Sequence, residues 1–262
     1  MSDTARRDEL KAQIDEFRRQ TAGLSAAETL SWAATAFGER VTVASSLGAE
    51  DQVLAHMISA HGLGIGVFTL DTGRMFNESY ELMAATEREL GVKIRPYFPD
   101  ASQVEQMVGE RGINLFYDSV ELRKRCCHVR KVEPLRRALA GHDAWITGLR
   151  RSQSVTRASL ETIEWDDQNG LLKISPLADW SEEAVWEYIR ENSVAYNKLH
   201  DRGFPSIGCA PCTRAVEPGA DPRSGRWWWE QPEHRECGLH TTEDAAPDQP
   251  AGRIAIGRLD LS

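Results

Sequence analysis

Val41-Thr42-Val43-Ala44-Ser45-Ser46-Leu47-Gly48-Ala49-Glu50-Asp51 decides the fold class of this chain. Its first five residues form a short β-branched run suited to a buried strand. A polar Ser/Gly turn follows, and then Val53, Leu54, Met57 and Ile58 recur at helical spacing, which predicts a helix over residues 50–60. The same succession repeats downstream: an apolar run at 65–71, a helical pattern at 74–90 and a third run at 92–98. Residues 145–148 and 171–174 supply a fourth and a fifth strand candidate. Strands alternating with long helices predict βαβ units, hence an α/β fold with a mostly parallel twisted sheet and flanking helices. In such sheets ligands sit beyond the carboxyl ends of the strands, where residues 45–51 and 71–74 form polar turns.

Upstream, residues 5–36 read as helical, with Leu10, Ile14 and Phe17 in register and Ser25 as N-cap of a second helix. Beyond about residue 200 periodicity is lost and Gly, Pro, Arg and Trp become frequent. Residues 241–255, polar and proline-containing, read as a disordered tail. A chain of 262 residues carries one substantial core. The expected organisation is one domain over 1–240, with N-terminal helices at 1–36, an α/β core at 41–200 and an irregular segment at 201–240, followed by a flexible tail at 241–262. No apolar run of about 18 residues exists to span a membrane. Residues 1–10 are charged without an apolar stretch, unlike a secretory signal, so the expected location is cytoplasmic.

The net charge of −9 argues against a nucleic-acid partner, which would need a basic surface. Arginines and lysines nevertheless cluster at 123–131, at 150–157 and at Arg223 and Arg226, a pattern suited to a small anion. Five cysteines in a cytosolic chain point to metal or redox chemistry rather than to disulfides. The odd count leaves one thiol over after any four-ligand site.

Five constellations carry the chemistry. Ser45 to Asp51 joins a strand to a helix, offering backbone N–H groups and the positive helix end to an anion, with Gly48 allowing close approach. Leu70-Asp71-Thr72-Gly73-Arg74 is a second strand-end turn, in which Asp71 either meets a ribose or simply caps the next helix. Residues 147–157 concentrate Arg150, Arg151 and Arg157 with four hydroxyl residues and Gln153, a set of donors with few acceptors. Cys126-Cys127 with Cys209-x2-Cys212 suggests a four-thiolate centre. A tandem pair is awkward for tetrahedral zinc and easier for a [4Fe–4S] cube, while Cys209 and Cys212 also read as a dithiol redox pair. Finally, Glu236-Cys237-Gly238-Leu239-His240 places a cysteine in a polar segment where it can form a reactive thiolate, with His240 at hand to stabilise it. Trp227, Trp228 and Trp229 read as packing or as a cover for the metal site.

Taken together and in this order, these motifs resemble the reductases of sulfonucleotides in assimilatory sulfate reduction, over roughly residues 25–240. The branch of that family that uses 3′-phosphoadenylylsulfate keeps only the terminal Glu-Cys-Gly-Leu-His motif. The branch that uses adenylylsulfate also carries both cysteine pairs, as this chain does. The resemblance implies an adenine-nucleotide α-hydrolase-like (PP-loop-like) fold. It implies Cys237 as nucleophile and a [4Fe–4S] cluster on Cys126, Cys127, Cys209 and Cys212. Ser45, Ser46, Gly48, Asp51, Leu70, Asp71, Gly73 and Arg74 would surround the nucleotide. Arg150, Arg151, Gln153 and Arg157 would line the phosphosulfate, and Lys131, Arg223, Arg226 and His240 would approach sulfate and cluster. Thioredoxin is the implied electron donor, AMP the product, and a homo-oligomer is expected. The competing readings are the 3′-phosphorylated branch, an iron–sulfur tRNA-thiolation enzyme of similar fold, and a redox sensor using the fold as scaffold. The second lacks its Ser-Gly-Gly-x-Asp-Ser loop here, and the third leaves residues 147–157 and 236–240 without a role.

Overall fold

A computed structural model describes residues 3–153 and 157–231. Cys237, His240 and the tail assigned to 241–262 lie outside the described residues, as do three residues of the arginine-rich loop. Helices α1 (Asp3–Ala12), α2 (Ile14–Thr21) and α3 (Ala26–Phe37) precede the sheet. Ser25 caps α3 in a reciprocal capping box with Glu28. The chain then runs β1 (Val41–Ser45), α4 (Ala49–Ala60), β2 (Gly66–Leu70), α5 (Asn77–Leu90), β3 (Ile94–Tyr97) and α6 (Ala101–Arg111). Next come α7 (Val120–Cys127), a π-helical turn (His128–Val132), α8 (Glu133–Leu139), β4 (Ala144–Ile146), β5 (Ile163–Asp166), β6 (Leu171–Ile174) and α9 (Glu182–Glu191).

The six strands lie in the order β3-β2-β1-β4-β6-β5. All neighbours are parallel except β5, which runs antiparallel to β6. Side chains alternate across the strands, so one face buries Val41, Val43, Ala144, Ile146, Leu172 and Ile174 among α3, α4 and α9. The other buries Phe68, Trp145 and Leu171 against Leu135, Ala138 and Leu139 of α8. Burial on both faces is what makes these strands continuous apolar runs. A third cluster stands apart: Met107, Leu115, Phe116, Val129, Cys212 and Trp227, with the other three cysteines of the two pairs packed on it. Among the described residues no helix is long and apolar enough to cross a membrane.

Three expectations need correction. The helix read over 74–90 begins at Asn77, because Asp71 and Thr72 bind the amides of Gly73 and Arg74 and hold the chain in a turn. The segment 5–36 is three helices rather than two. Strand β5 went unread, although it closes a hairpin with β6 across Asp167–Gly170.

Candidate active site

Strand order reverses at β1, which has β2 on one side and β4 on the other. Loops leaving the carboxyl ends of these strands diverge there and open a crevice. A cleft of about 550 Å³ fills it. Ser45, Ser46, Gly48 and Asp51 line it from the first loop, Leu70 and Thr72 from the second, and Arg150, Gln153 and Arg157 from the third. Lys131, Arg223 and Arg226 close the far side.

The β1–α4 loop is shaped from within. Leu47 is buried at a positive φ of 63°, and its amide donates to Ser45 Oγ at 3.2 Å. The Asp51 carboxylate accepts from the Ser46 amide (2.6 Å) and hydroxyl (2.7 Å). Burial pushes the Asp51 carboxyl up to about 6; hydrogen bonds from Ser46 oppose this and the nearby Glu50 adds to it. Gly48 stands at the N-cap without a capping side chain, so the first turn of α4 offers its amides to the cleft. Gly148, leaving β4, packs on this turn; a Cβ there would meet Glu50 Cβ at 2.8 Å and also Asp51 Oδ1.

The second turn uses Asp71 internally. Its carboxylate accepts from the Gly73 amide (2.8 Å) and the Tyr80 hydroxyl (2.9 Å), and burial with this contact raises Tyr80 to about 12. Arg74 points to the other side, donating to the Ile113 carbonyl and lying over Phe116. In the third loop Arg150 Nε pairs with Glu50 at 2.8 Å, and Gln153 Nε2 shares the same oxygen at 2.9 Å. Arg157 donates to Gln153. Arg151 turns away to Asp179 and the Leu160 carbonyl. Asp71, Gly73, Arg74 and Arg151 therefore do not line the cleft, whereas the other sequence-derived binding residues within the described region do.

Beside the cleft lies a smaller cavity bordered by Cys126, Cys127, Cys209 and Cys212 together with Arg74, Arg123, Arg130 and Lys131. Cys126 and Cys127 end α7, and the π-helical turn that follows carries Arg130 and Lys131. Such turns inside α-helices frequently occur at functional sites. Cys209 and Cys212 bracket a single 3-10 turn, and Cys209 Sγ donates to Thr72 Oγ1 at 3.3 Å. Burial pushes the Cys212 thiol up to about 12 and raises Cys126, so neither ionises by itself near neutrality. Among the described residues, no group of three or more His, Cys, Asp or Glu side chains is placed to hold a metal ion. Four soft thiols border this one cavity, and Arg74, Arg123, Arg130 and Lys131 beside them could balance thiolate charge.

Lys131 and Cys209 border both the cleft and the cysteine cavity. Sequence reasoning gave no role to Glu50, the ion partner of Arg150, nor to Trp186, His200 and Ser206, which also line the cleft. Pro205 and Gly208 ahead of Cys209 were the only local signal for that wall.

Residues 40–215 match the model of a family described as phosphoadenosine phosphosulfate reductase domain. The chain is 56% identical to an adenosine 5′-phosphosulfate reductase of Allochromatium vinosum, covering 84% of this chain and 86% of the relative. It is 52% identical to one from Burkholderia cepacia, covering 78% and 82%. Among solved structures, a phosphoadenylyl-sulfate reductase from Candida auris superposes with a TM-score of 0.67 at 30% identity, covering 78% of this chain and 96% of that one. An FMN adenylyltransferase from Candida glabrata shares the fold at 14% identity, with a TM-score of 0.52 over 86% and 75% of the two chains.

Proposed function

The chain belongs to the phosphoadenosine phosphosulfate reductase family, and we infer that it is an oxidoreductase reducing adenylylsulfate to sulfite and AMP with thioredoxin as donor. The observation that carries this reading is the pair of adjoining cavities, a polar cleft at the sheet's switch point and a four-cysteine pocket sharing Lys131 and Cys209 with it. Relatives about half identical to this chain, named adenosine 5′-phosphosulfate reductases, support adenylylsulfate as the nucleotide.

In the proposed reaction the loops after β1 and β2 hold the nucleotide. Lys131, Arg150, Arg157, Arg223 and Arg226 face its phosphosulfate. The Cys237 thiolate attacks the sulfur; the S–O bond to phosphate breaks and its electron pair leaves on the phosphate oxygen of AMP. The product is a Cys237 S-sulfonate, and basic groups already fixed in the cleft offset the charge developing on phosphate and sulfonate. A thioredoxin thiolate then attacks Cys237 Sγ, so that sulfite departs with the electron pair and a mixed disulfide remains. The second thioredoxin thiol resolves it, returning the Cys237 thiol. Thioredoxin supplies both electrons. His240, three residues after Cys237, is suited to stabilise the thiolate. Cys126, Cys127, Cys209 and Cys212 would hold a [4Fe–4S] cluster. When bound, that group would contribute a fixed charge next to Lys131.

The deciding experiment is sulfite release with thioredoxin present, from adenylylsulfate and from its 3′-phosphorylated form. Strong preference for adenylylsulfate is expected; the reverse preference would assign the chain to the other branch. Anaerobic preparations should contain about four iron and four acid-labile sulfide per chain. Zinc instead would overturn the cluster assignment.

A further inference from the structure

Arg226 is a cation of the cleft, yet the residue is only 7% exposed. Its Nε finds no hydrogen-bond partner among the described residues, and its Nη1 donates to the Ser206 hydroxyl across a long 3.4 Å. A guanidinium taken out of water with so little polar support must be directed by shape instead. Two surfaces supply that shape. One is the Trp227 ring, whose centroid lies 4.7 Å from the guanidinium carbon. The other is the backbone of Gly208: a Cβ built there would stand 2.5 Å from Arg226 Cζ and 3.0 Å from Nη1.

Nothing in the backbone demands glycine at 208, because its φ lies outside the left-handed region that favours this residue. Space is the demand that remains, and the guanidinium fills it. The segment that offers this bare backbone is tied to the segment that carries the arginine. The Gly208 amide donates to Thr213 Oγ1 at 3.2 Å, and the Thr213 hydroxyl donates to the Cys209 carbonyl at 3.0 Å. Thr213 forms an antiparallel bridge with Arg226, and the Trp227 amide donates to the Cys212 carbonyl at 3.1 Å.

We propose that Gly208 and Ser206 are positioning residues for Arg226. The missing side chain of Gly208 leaves the guanidinium its place, while the Trp227 ring and the Ser206 hydroxyl set its direction. The cation is thus fixed before the nucleotide arrives, as stabilisation of developing charge requires. This rests on the reading that Arg226 faces the phosphosulfate.

The test uses the full-length protein and measures kcat/KM for sulfite release from adenylylsulfate with thioredoxin. Wild type, G208A, R226A and the double variant are compared, with adenosine affinity by calorimetry as control. G208A places a methyl group where the guanidinium lies and removes no functional group. It should lower kcat/KM about tenfold or more, the loss expected for a displaced charged contact. Adenosine carries no phosphate and should bind each variant within about twofold of wild type. In the R226A background no guanidinium is left to displace, so G208A should change kcat/KM by less than about twofold. An equal loss in both backgrounds assigns Gly208 a merely structural role and overturns the proposal, as does a wild-type rate in G208A. S206A adds no bulk and covers the case in which G208A fails to fold. It should lower kcat/KM about threefold where Arg226 is present and leave the R226A rate unchanged. An S206A rate equal to wild type, with G208A unfolded, overturns the proposal too. An R226A variant as active as wild type overturns the reading of Arg226 itself, which distinguishes the two failures.

Discussion

Asp51 is a buried carboxyl whose pKa is about 6 in the fold against an ordinary 3.8, with desolvation as the chief cause. Because the folded value is the higher, the folded state binds the proton more tightly. Its contribution to stability is full below about pH 4 and is lost as pH rises through about 6. Replacing Asp51 with Asn should therefore help the variant relative to wild type increasingly from pH 4 to 7. At ~1.4 kcal/mol per unit the gain approaches roughly 3 kcal/mol, readable by urea denaturation at each pH. A difference independent of pH would contradict the burial argument. Gly148 gives a second test, since a Cβ would strike Glu50 and Asp51. G148A should cost about 1–3 kcal/mol and weaken nucleotide binding by about tenfold, because the two strand-end loops must part. Residues of these kinds differ in legibility. The cysteines were readable because their chemistry is rare and their spacing local. The role of Asp71 was not, since helix cap and ribose acceptor look alike until the Gly73 amide and the Tyr80 hydroxyl are seen on its carboxylate. Glu50 was invisible for another reason: its partner Arg150 is 100 residues away.

At the scale of elements, the parallel strands were legible as short apolar runs between helices. The β5–β6 hairpin was not, although Asn169-Gly170 before Leu171 is a hairpin turn signal. Trp165 and the acidic residues around it hide the alternation of an edge strand. Gly170 adopts a φ of +68° there, and a Cβ would press on the Arg7 guanidinium. G170A should cost about 1 kcal/mol and lower the melting temperature by about 2–4 °C in calorimetry, with turnover unchanged. A change in turnover would tie this edge to the site. The π-helical turn after Cys127 was equally unreadable, because no sequence spacing marks a widened helical turn. It nonetheless places Lys131 at the border of both cavities.

For the molecule as a whole, a net charge of −9 conceals a cleft in which Lys131, Arg150, Arg157, Arg223 and Arg226 stand among Glu50, Asp51, Glu182 and Glu183. Attraction of a multiply charged anion into such a cleft is screened by salt, so KM for adenylylsulfate should rise severalfold across a salt titration. A salt-independent KM would argue that ion pairs such as Glu50 with Arg150 already neutralise the site. The basic clusters are legible along the chain, but their convergence on one cleft is not, because it depends on where the sheet reverses order. The central claim, that a cleft at this reversal presents the sulfur of adenylylsulfate to Cys237, is tested most directly in one turnover without reductant. Protein and adenylylsulfate are mixed, and the intact and peptide masses are recorded. The account predicts one SO3 unit added at Cys237 with one AMP released, and no such adduct in C237S. An adduct retained in C237S, or AMP released without one, would contradict it.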